Sequence, residues 1–278
     1  FSKRNMVKAG IEFRKHDLNF LDEFTAVFPV GDELVQAQVN NGEYNRKPTE
    51  ASAYIQDKIE FEGLIVNIGL RWDYFNSDGP VLLDETDPNI VFEERRQDLE
   101  QNQIFKDSNA KSQISPRLGV SFPISEGGVV HFSYGWFFQI PNFNLLYQNP
   151  YFRLGTSGSG LIGLIGNANL RPQKTINGEI GLKQSLSNST GVEITAFFRD
   201  INDLAGTATD PILIAGTSAR YGKFVNSDFG FVRGIILRFD QRIASDFSVN
   251  LDYTFQVAKG NASDPAAVFN AAQAKQER

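Results

Sequence analysis

His16 and His131 are the only two histidines in 278 residues, and cysteine is absent. Disulfides, thiolate zinc sites and cysteine nucleophiles are therefore excluded. His16 falls near the top of the first strand-like segment and His131 low in the fifth, so no nucleophile–base pair forms between them. An enzyme is not expected, and neither is a cofactor. The polar residues that do recur are charged side chains spaced two apart among apolar ones: Arg71, Asp73, Arg117, Glu179, Lys183, Glu193, Arg199, Arg238 and Asp252. On a strand that spacing puts them all on one face, where opposite charges on neighbouring strands can pair. A second set is aromatic. Phe143, Tyr147, Tyr151, Phe152 and Arg153 share one long connection and precede a Gly/Ser-rich run, Gly155–Gly166. Rings beside a flexible hinge suit clamping an apolar or ring-bearing ligand. The competing reading packs these rings against the rim of the sheet or against other loops. A third set, Asp84, Glu85, Asp87, Glu93 and Glu94, offers hard oxygen ligands for calcium. Its spacing matches no EF-hand, a solvated surface accounts for it, and no metal site is assigned.

Nine segments position these residues, and each alternates apolar with polar. They are Val7–Arg14, Glu50–Lys58, Leu64–Phe75, Ile114–Phe122, Val129–Phe138, Ile176–Lys183, Val192–Arg199, Phe229–Asp240 and Phe247–Val257. In the last, Phe247, Val249, Leu251, Tyr253, Phe255 and Val257 oppose Ser248, Asn250, Asp252, Thr254 and Gln256. Segments of about 8–12 residues match what a tilted strand needs to cross a bilayer. The connections alternate in length. Glu60–Gly63, Ser125–Gly128, Ser185–Thr190 and Gln241–Asp246 are short, whereas Leu21–Pro48, Asn76–Lys111, Gln139–Lys174 and Asn202–Tyr221 are long. Strict interleaving puts every long loop at one end of the sheet.

The fold class expected is therefore all-β: an antiparallel up-and-down transmembrane barrel, partial, with short periplasmic turns and long extracellular loops. A soluble sandwich also alternates, but its loops are not sorted by length in this way. Aromatics mark both ends of the strands. Trp72, Tyr74, Trp136, Phe138 and Phe198 lie at the long-loop end, and Phe61, Phe122, Phe239 and Phe247 at the short-turn end, as two interfacial girdles would. The polar face carries eight basic and seven acidic residues, counting Lys8, Arg14, Lys58, Glu12, Glu50 and Asp240 with the nine above. A near balance suits ion pairs and hydrogen bonds to a second folded element better than an ion-selective pore. Gly69, Gly119, Gly135, Gly181 and Gly234 lie on the same face, either admitting another backbone or easing sheet curvature. A net charge of −6 argues against nucleic acid as a partner. Asp264-Pro265 before Ala266–Lys275 reads as the start of a short helix. Nine is an odd count, and neither terminus reads as the natural end of a chain, so a fragment is expected.

Several runs, in this order, resemble the barrel of TonB-dependent outer-membrane receptors: YIQDKIEF (Tyr54–Phe61), GLRWDYF (Gly69–Phe75), SPRLGVSFPIS (Ser115–Ser125), YGWFFQIPNFNLLYQNP (Tyr134–Pro150), NLRPQKTINGEIGLKQ (Asn169–Gln184) and TAFFRDINDL (Thr195–Leu204). The likeness covers about residues 50–260 and is nearest to the Bacteroidetes-type branch, which carries a carboxypeptidase-regulatory-like domain before its plug. It implies a 22-stranded barrel around an N-terminal plug, of which residues 1–278 are a part lacking the plug and the barrel ends. It also implies a Gram-negative outer-membrane location, lipid on the outer face, and energising through the TonB complex. The ligand would be a scarce nutrient such as a siderophore, haem, a cobalamin, an oligosaccharide or a peptide. A passive porin and a structural or adhesive barrel are the alternatives.

Overall fold

The alternation forms strands throughout a computed structural model of the chain, which describes residues 4–30, 33–90, 104–149, 159–244, 246–261 and positions 264, 266, 267, 270 and 271. In chain order the strands are β1 (Asn5–Lys15), β2 (Leu18–Val30), β3 (Glu33–Arg46), β4 (Thr49–Phe61), β5 (Leu64–Asn76), β6 (Pro80–Leu82), β7 (Phe105–Asp107), β8 (Lys111–Ser125) and β9 (Gly128–Gln139). A five-residue helix, α1 (Phe143–Tyr147), follows, and then β10 (Ser159–Ile165), β11 (Gln173–Ser187), β12 (Thr190–Thr207), β13 (Ile212–Leu213), β14 (Ser218–Ala244) and β15 (Phe247–Gly260).

All nine alternating segments lie in one antiparallel sheet, ordered β1-β4-β5-β8-β9-β11-β12-β14-β15. Each strand pairs with the next of the nine along the chain, which is an up-and-down meander. Two-residue turns close its lower end, as at Glu62-Gly63, where Gly63 takes φ +76°. The sheet is open among the described residues: β1 pairs only with β4, and β15 only with β14.

The two faces answer the sandwich alternative. A sandwich buries its apolar face, but here Ile11 is 89% exposed and Ile68, Ile114, Ile194 and Leu251 are exposed as well. The polar face is the more covered one, with Asp73, Ser115 and Thr195 buried. An apolar face left bare in this way needs lipid as its solvent. No helix among the described residues is long and apolar enough to cross a membrane.

The buried core sits among the long loops, not within the sheet. One cluster joins Leu82, Ile90, Ile104, Ile165, Ile214 and Tyr221; a second joins Tyr44, Phe75, Leu146, Tyr147, Leu170 and Phe224. Three long connections are more ordered than their sequence suggests. Leu21–Pro48 is largely the hairpin β2–β3. The Gly/Ser run 155–166 contributes β10, which pairs in parallel with β14. The connection 202–221 is shortened to 208–217 by extension of β12 and β14, the latter 27 residues long, and what remains holds β13. Phe138, expected in the upper girdle, packs instead against the second loop cluster.

Candidate functional site

Strand register gathers the polar residues into rungs across the polar face of the sheet. Lys183, Glu193, Arg238 and Asp252 stand opposite one another on β11, β12, β14 and β15. Arg238 donates Nε–H to Asp252 at 2.9 Å and lies 3.7 Å from Glu193. A cation between two carboxylates satisfies both only because the pleat turns all of them the same way.

A second group lies near the long-loop end of β1, β4 and β5. Arg71 donates Nε–H to Asp73 at 2.7 Å. The other carboxylate oxygen of Asp73 is buried with no hydrogen-bond partner. His16 Nε2 lies 2.6 Å from Glu50, and Arg14 pairs with Glu12. Glu12, Arg14, Glu50, Arg71, Asp73 and Phe138 border a depression of about 270 Å³.

Between the two groups the wall is scooped out. Gly69, Gly119 and Gly135 on β5, β8 and β9 leave a trough of about 240 Å³, rimmed by Arg117, Asn67 and Asn177. The Arg117 guanidinium lies 4.9 Å from the centre of the Phe137 ring. Asn177 donates to Glu179 at 3.2 Å and leaves its own carbonyl oxygen buried and unpartnered. Arg199 stands opposite Asn177 and is exposed. Not every wall glycine is open. The His131 ring lies where a Cβ on Gly181 would stand, 2.3 Å from that position, so this glycine receives a neighbour's side chain.

The aromatic set divides. Phe143 and Tyr147 are brought together on α1, ring centres 6.1 Å apart, inside the second loop cluster. Phe143 also meets the His16 ring edge-on at 5.3 Å. Tyr147 is 3% exposed and donates its hydroxyl to the Ser77 carbonyl oxygen. Burial, with the Asp78 carboxylate nearby, pushes this phenol well above its ordinary range. Tyr151 and Arg153 lie outside the described residues.

The acidic connection is tied up locally. Asp84 accepts hydrogen bonds from the Thr86 amide and hydroxyl, both at 2.8 Å, and these hold its carboxyl below the usual range. Glu85 pairs with Lys223, and Asp87 accepts from the Asn89 amide. Glu93 and Glu94 lie outside the described residues. No three His, Asp or Glu side chains converge as metal ligands among the described residues.

Sequence reasoning missed the residues that knit the loops. Ser77 donates to the Ala168 carbonyl oxygen at 2.8 Å, and Asn167 to that of Phe224 at 2.8 Å. Asn226 donates to the carbonyl oxygens of Arg171 and Asp203 and accepts from the Arg171 amide. The run Asn167–Arg171 carried the signal: short amides beside β11 are suited to satisfying loop backbone.

Comparison with known proteins agrees with this geometry. Residues 3–274 match the family described as "TonB dependent receptor-like, beta-barrel". No curated protein sequence matches. Among solved structures, the siderophore receptor PirA from Pseudomonas aeruginosa is 18% identical, with a TM-score of 0.58 over 92% of this chain and 39% of that one. The FrpB iron transporter from Neisseria meningitidis (F5-1 variant) is 14% identical, with a TM-score of 0.59 over 96% and 36%. The outer membrane transporter YddB from Escherichia coli is 13% identical, with a TM-score of 0.61 over 92% and 31%. The chain thus spans between three and four tenths of the length of these proteins.

Proposed function

The chain belongs to the TonB-dependent receptor-like β-barrel family of Gram-negative outer membranes, and from that premise we propose that it is part of an active-transport receptor for a scarce nutrient. The nine strands join others to close a 22-stranded barrel, and a plug domain of the same protein fills the lumen. Arg71, Asp73, Arg117, Glu179, Lys183, Glu193, Arg199, Arg238 and Asp252 face that plug. Energy arrives through the TonB complex, and transport proceeds by movement of the plug without covalent chemistry.

The observation that carries this reading is the inner wall itself. A water-filled pore solvates its polar groups, but here Asp73 and Asn177 each bury a side-chain oxygen with no partner. Such oxygens are costly unless a donor from another element reaches them. The trough at Gly69, Gly119 and Gly135 gives that element room. Tyr151 and Arg153, which follow α1 in sequence, are the candidates for ligand contact, together with Phe143 and Tyr147 on α1 itself. The ligand class follows the family: an iron chelate or a comparable nutrient too large for diffusion. The sequence runs quoted above favour the Bacteroidetes-type branch.

The test uses the full-length protein in its own outer membrane. Uptake of candidate nutrients is measured with and without the energising inner-membrane complex. Loss of uptake without the complex supports the receptor. Uptake that continues unchanged identifies a passive porin.

A further inference from the structure

Register sorts the charges of the outer face as sharply as those of the inner one. Four cations lie on that face of the nine strands: Lys15 on β1, Lys174 on β11, Arg233 on β14 and Lys259 on β15. All four stand toward the long-loop end. Below them the outer face of β11, β12, β14 and β15 is apolar or neutral, from Leu182 and Ile194 to Leu237 and Leu251. Three of the four cations fall on this one stretch of four neighbouring strands. Asp200 on β12 is the only carboxylate among them, and no ion pair to Lys174, Arg233 or Lys259 occurs among the described residues.

Two of these cations are held by rings. The Lys174 ammonium lies 3.5 Å from the centre of the Trp136 ring, and the Arg233 guanidinium lies 5.2 Å from that of Phe231. Phe231 in turn stands opposite Lys259, and Phe198 opposite Arg233. Cation–π contact fixes the Lys174 and Arg233 charges over the apolar band without neutralising them. Phe247 and Lys259 are twelve residues apart on β15. At about 3.3 Å per residue and a tilt of about 45° that separation is about 28 Å in height, close to the thickness of the apolar band of a barrel. Lys259 therefore stands at the upper edge of the hydrocarbon, with Arg233 one pleat repeat lower on the next strand.

We propose that Lys174, Arg233 and Lys259 form a docking site for the phosphorylated headgroup of an outer-leaflet lipid, whose acyl chains lie along the apolar band beneath. The occupant must carry several negative charges directly above hydrocarbon, because the patch is cationic immediately above a bare apolar wall. A phosphorylated lipid has that arrangement. Arg233 suits bidentate binding of one phosphate, and the two lysines suit a second as point charges. The site is independent of the transported nutrient, being on the opposite face of the sheet from the plug-facing residues.

The test is made on the full-length protein extracted from its native outer membrane. Co-purified lipid is counted by native mass spectrometry in wild type, in K174Q/R233Q/K259Q and in a loop control, K106Q. Wild type and control are expected to retain phosphorylated lipid, and the triple variant to retain about tenfold less. Delipidated protein is then offered purified outer-leaflet lipid with and without its phosphates, and only the phosphorylated form is expected to rebind. Equal lipid in triple variant and wild type overturns the proposal, as does equal rebinding of the dephosphorylated form. Displacement by inorganic phosphate at the same concentration also overturns it, because the site then recognises a free ion and not a lipid. If the triple variant fails to insert, the single variants are compared with K174R and K259R. The glutamine changes are expected to lower retention two- to threefold and the arginine changes to preserve it; no difference between them overturns the proposal.

Discussion

Arg238 on β14 and Asp252 on β15 stand directly opposite in register and share a 2.9 Å hydrogen bond on the polar face of the sheet. Both side chains are at least half exposed in the open sheet. An exposed pair of this kind contributes little by itself, about 0.5 kcal/mol. In the full-length protein a plug against this rung would exclude water and raise the coupling. A double-mutant cycle with R238A and D252A, read from denaturant unfolding, is expected to give about 0.5 kcal/mol in a plug-deleted barrel and at least twice that with the plug present. Equal coupling in both would mean that no plug seals this rung.

Gly181 and His131 make a second prediction on the same wall. A Cβ at Gly181 would fall 2.3 Å from the imidazole and 2.6 Å from the Thr195 hydroxyl oxygen. Both are side-chain atoms, so they can move at a cost. Gly181→Ala is expected to destabilise the barrel by about 1–2 kcal/mol. Adding His131→Ala removes the nearer obstacle and is expected to restore more than half of the loss. Thermal unfolding of the single and double variants measures both, and a double variant no better than Gly181→Ala would show that the ring is not the obstacle.

The sheet was legible in the sequence because one apolar face and one polar face on every strand enforce strict alternation. Ile68, Leu70 and Trp72 against Gly69, Arg71 and Asp73 can be read in only one way. The extramembrane strands were less legible because bulges break the period. In β2–β3 the register shifts between Asp22 and Glu23, where the pairing passes from Gly42 to Asn40 and leaves an extra residue on β3. In β12 it shifts twice after Ile201, and in β10 between Leu161 and Leu164. Of the candidate site, the wall residues followed from parity alone. The burial of Tyr147 did not, since it depends on Tyr44 and Phe224, which are distant in sequence.

Gly166 is the position where α1 meets the end of β10. Its amide donates to the Gln148 carbonyl oxygen at 2.7 Å, and a Cβ there would lie 2.6 Å from the Gln148 nitrogen and 2.8 Å from the Leu146 carbonyl carbon. These are backbone atoms, which cannot rotate away. Gly166→Ala is therefore expected to displace α1 and cost about 2–3 kcal/mol locally. Hydrogen exchange should show lost protection over 142–149, with β11 and β12 unchanged. Uniform protection in the variant would contradict the close approach.

Tyr147 sets a pH limit on the same loop cluster. Its phenol is raised above the ordinary value of 10.0 chiefly by burial, and then by the Asp78 carboxylate. The folded protein therefore keeps this proton at pH values where the unfolded chain has released it. Stability from this group is intact below pH 10 and is lost as pH climbs from there toward the folded-state value. Tyr221, buried in the other loop cluster beside Glu85, shifts in the same direction. Loop protection in wild type is thus expected to fall steeply above pH 10. Tyr147→Phe removes this titration, leaving those of Tyr221 and of Tyr44, which burial also raises, and removes the hydrogen bond to the Ser77 carbonyl oxygen. Near neutral pH the variant is expected to be less stable by about 1–2 kcal/mol, because a buried acceptor loses its donor. Above pH 10 its stability should decline more gently than that of wild type, so the two curves converge. Parallel curves would mean that the Tyr147 phenol does not titrate differently in the folded and unfolded chains.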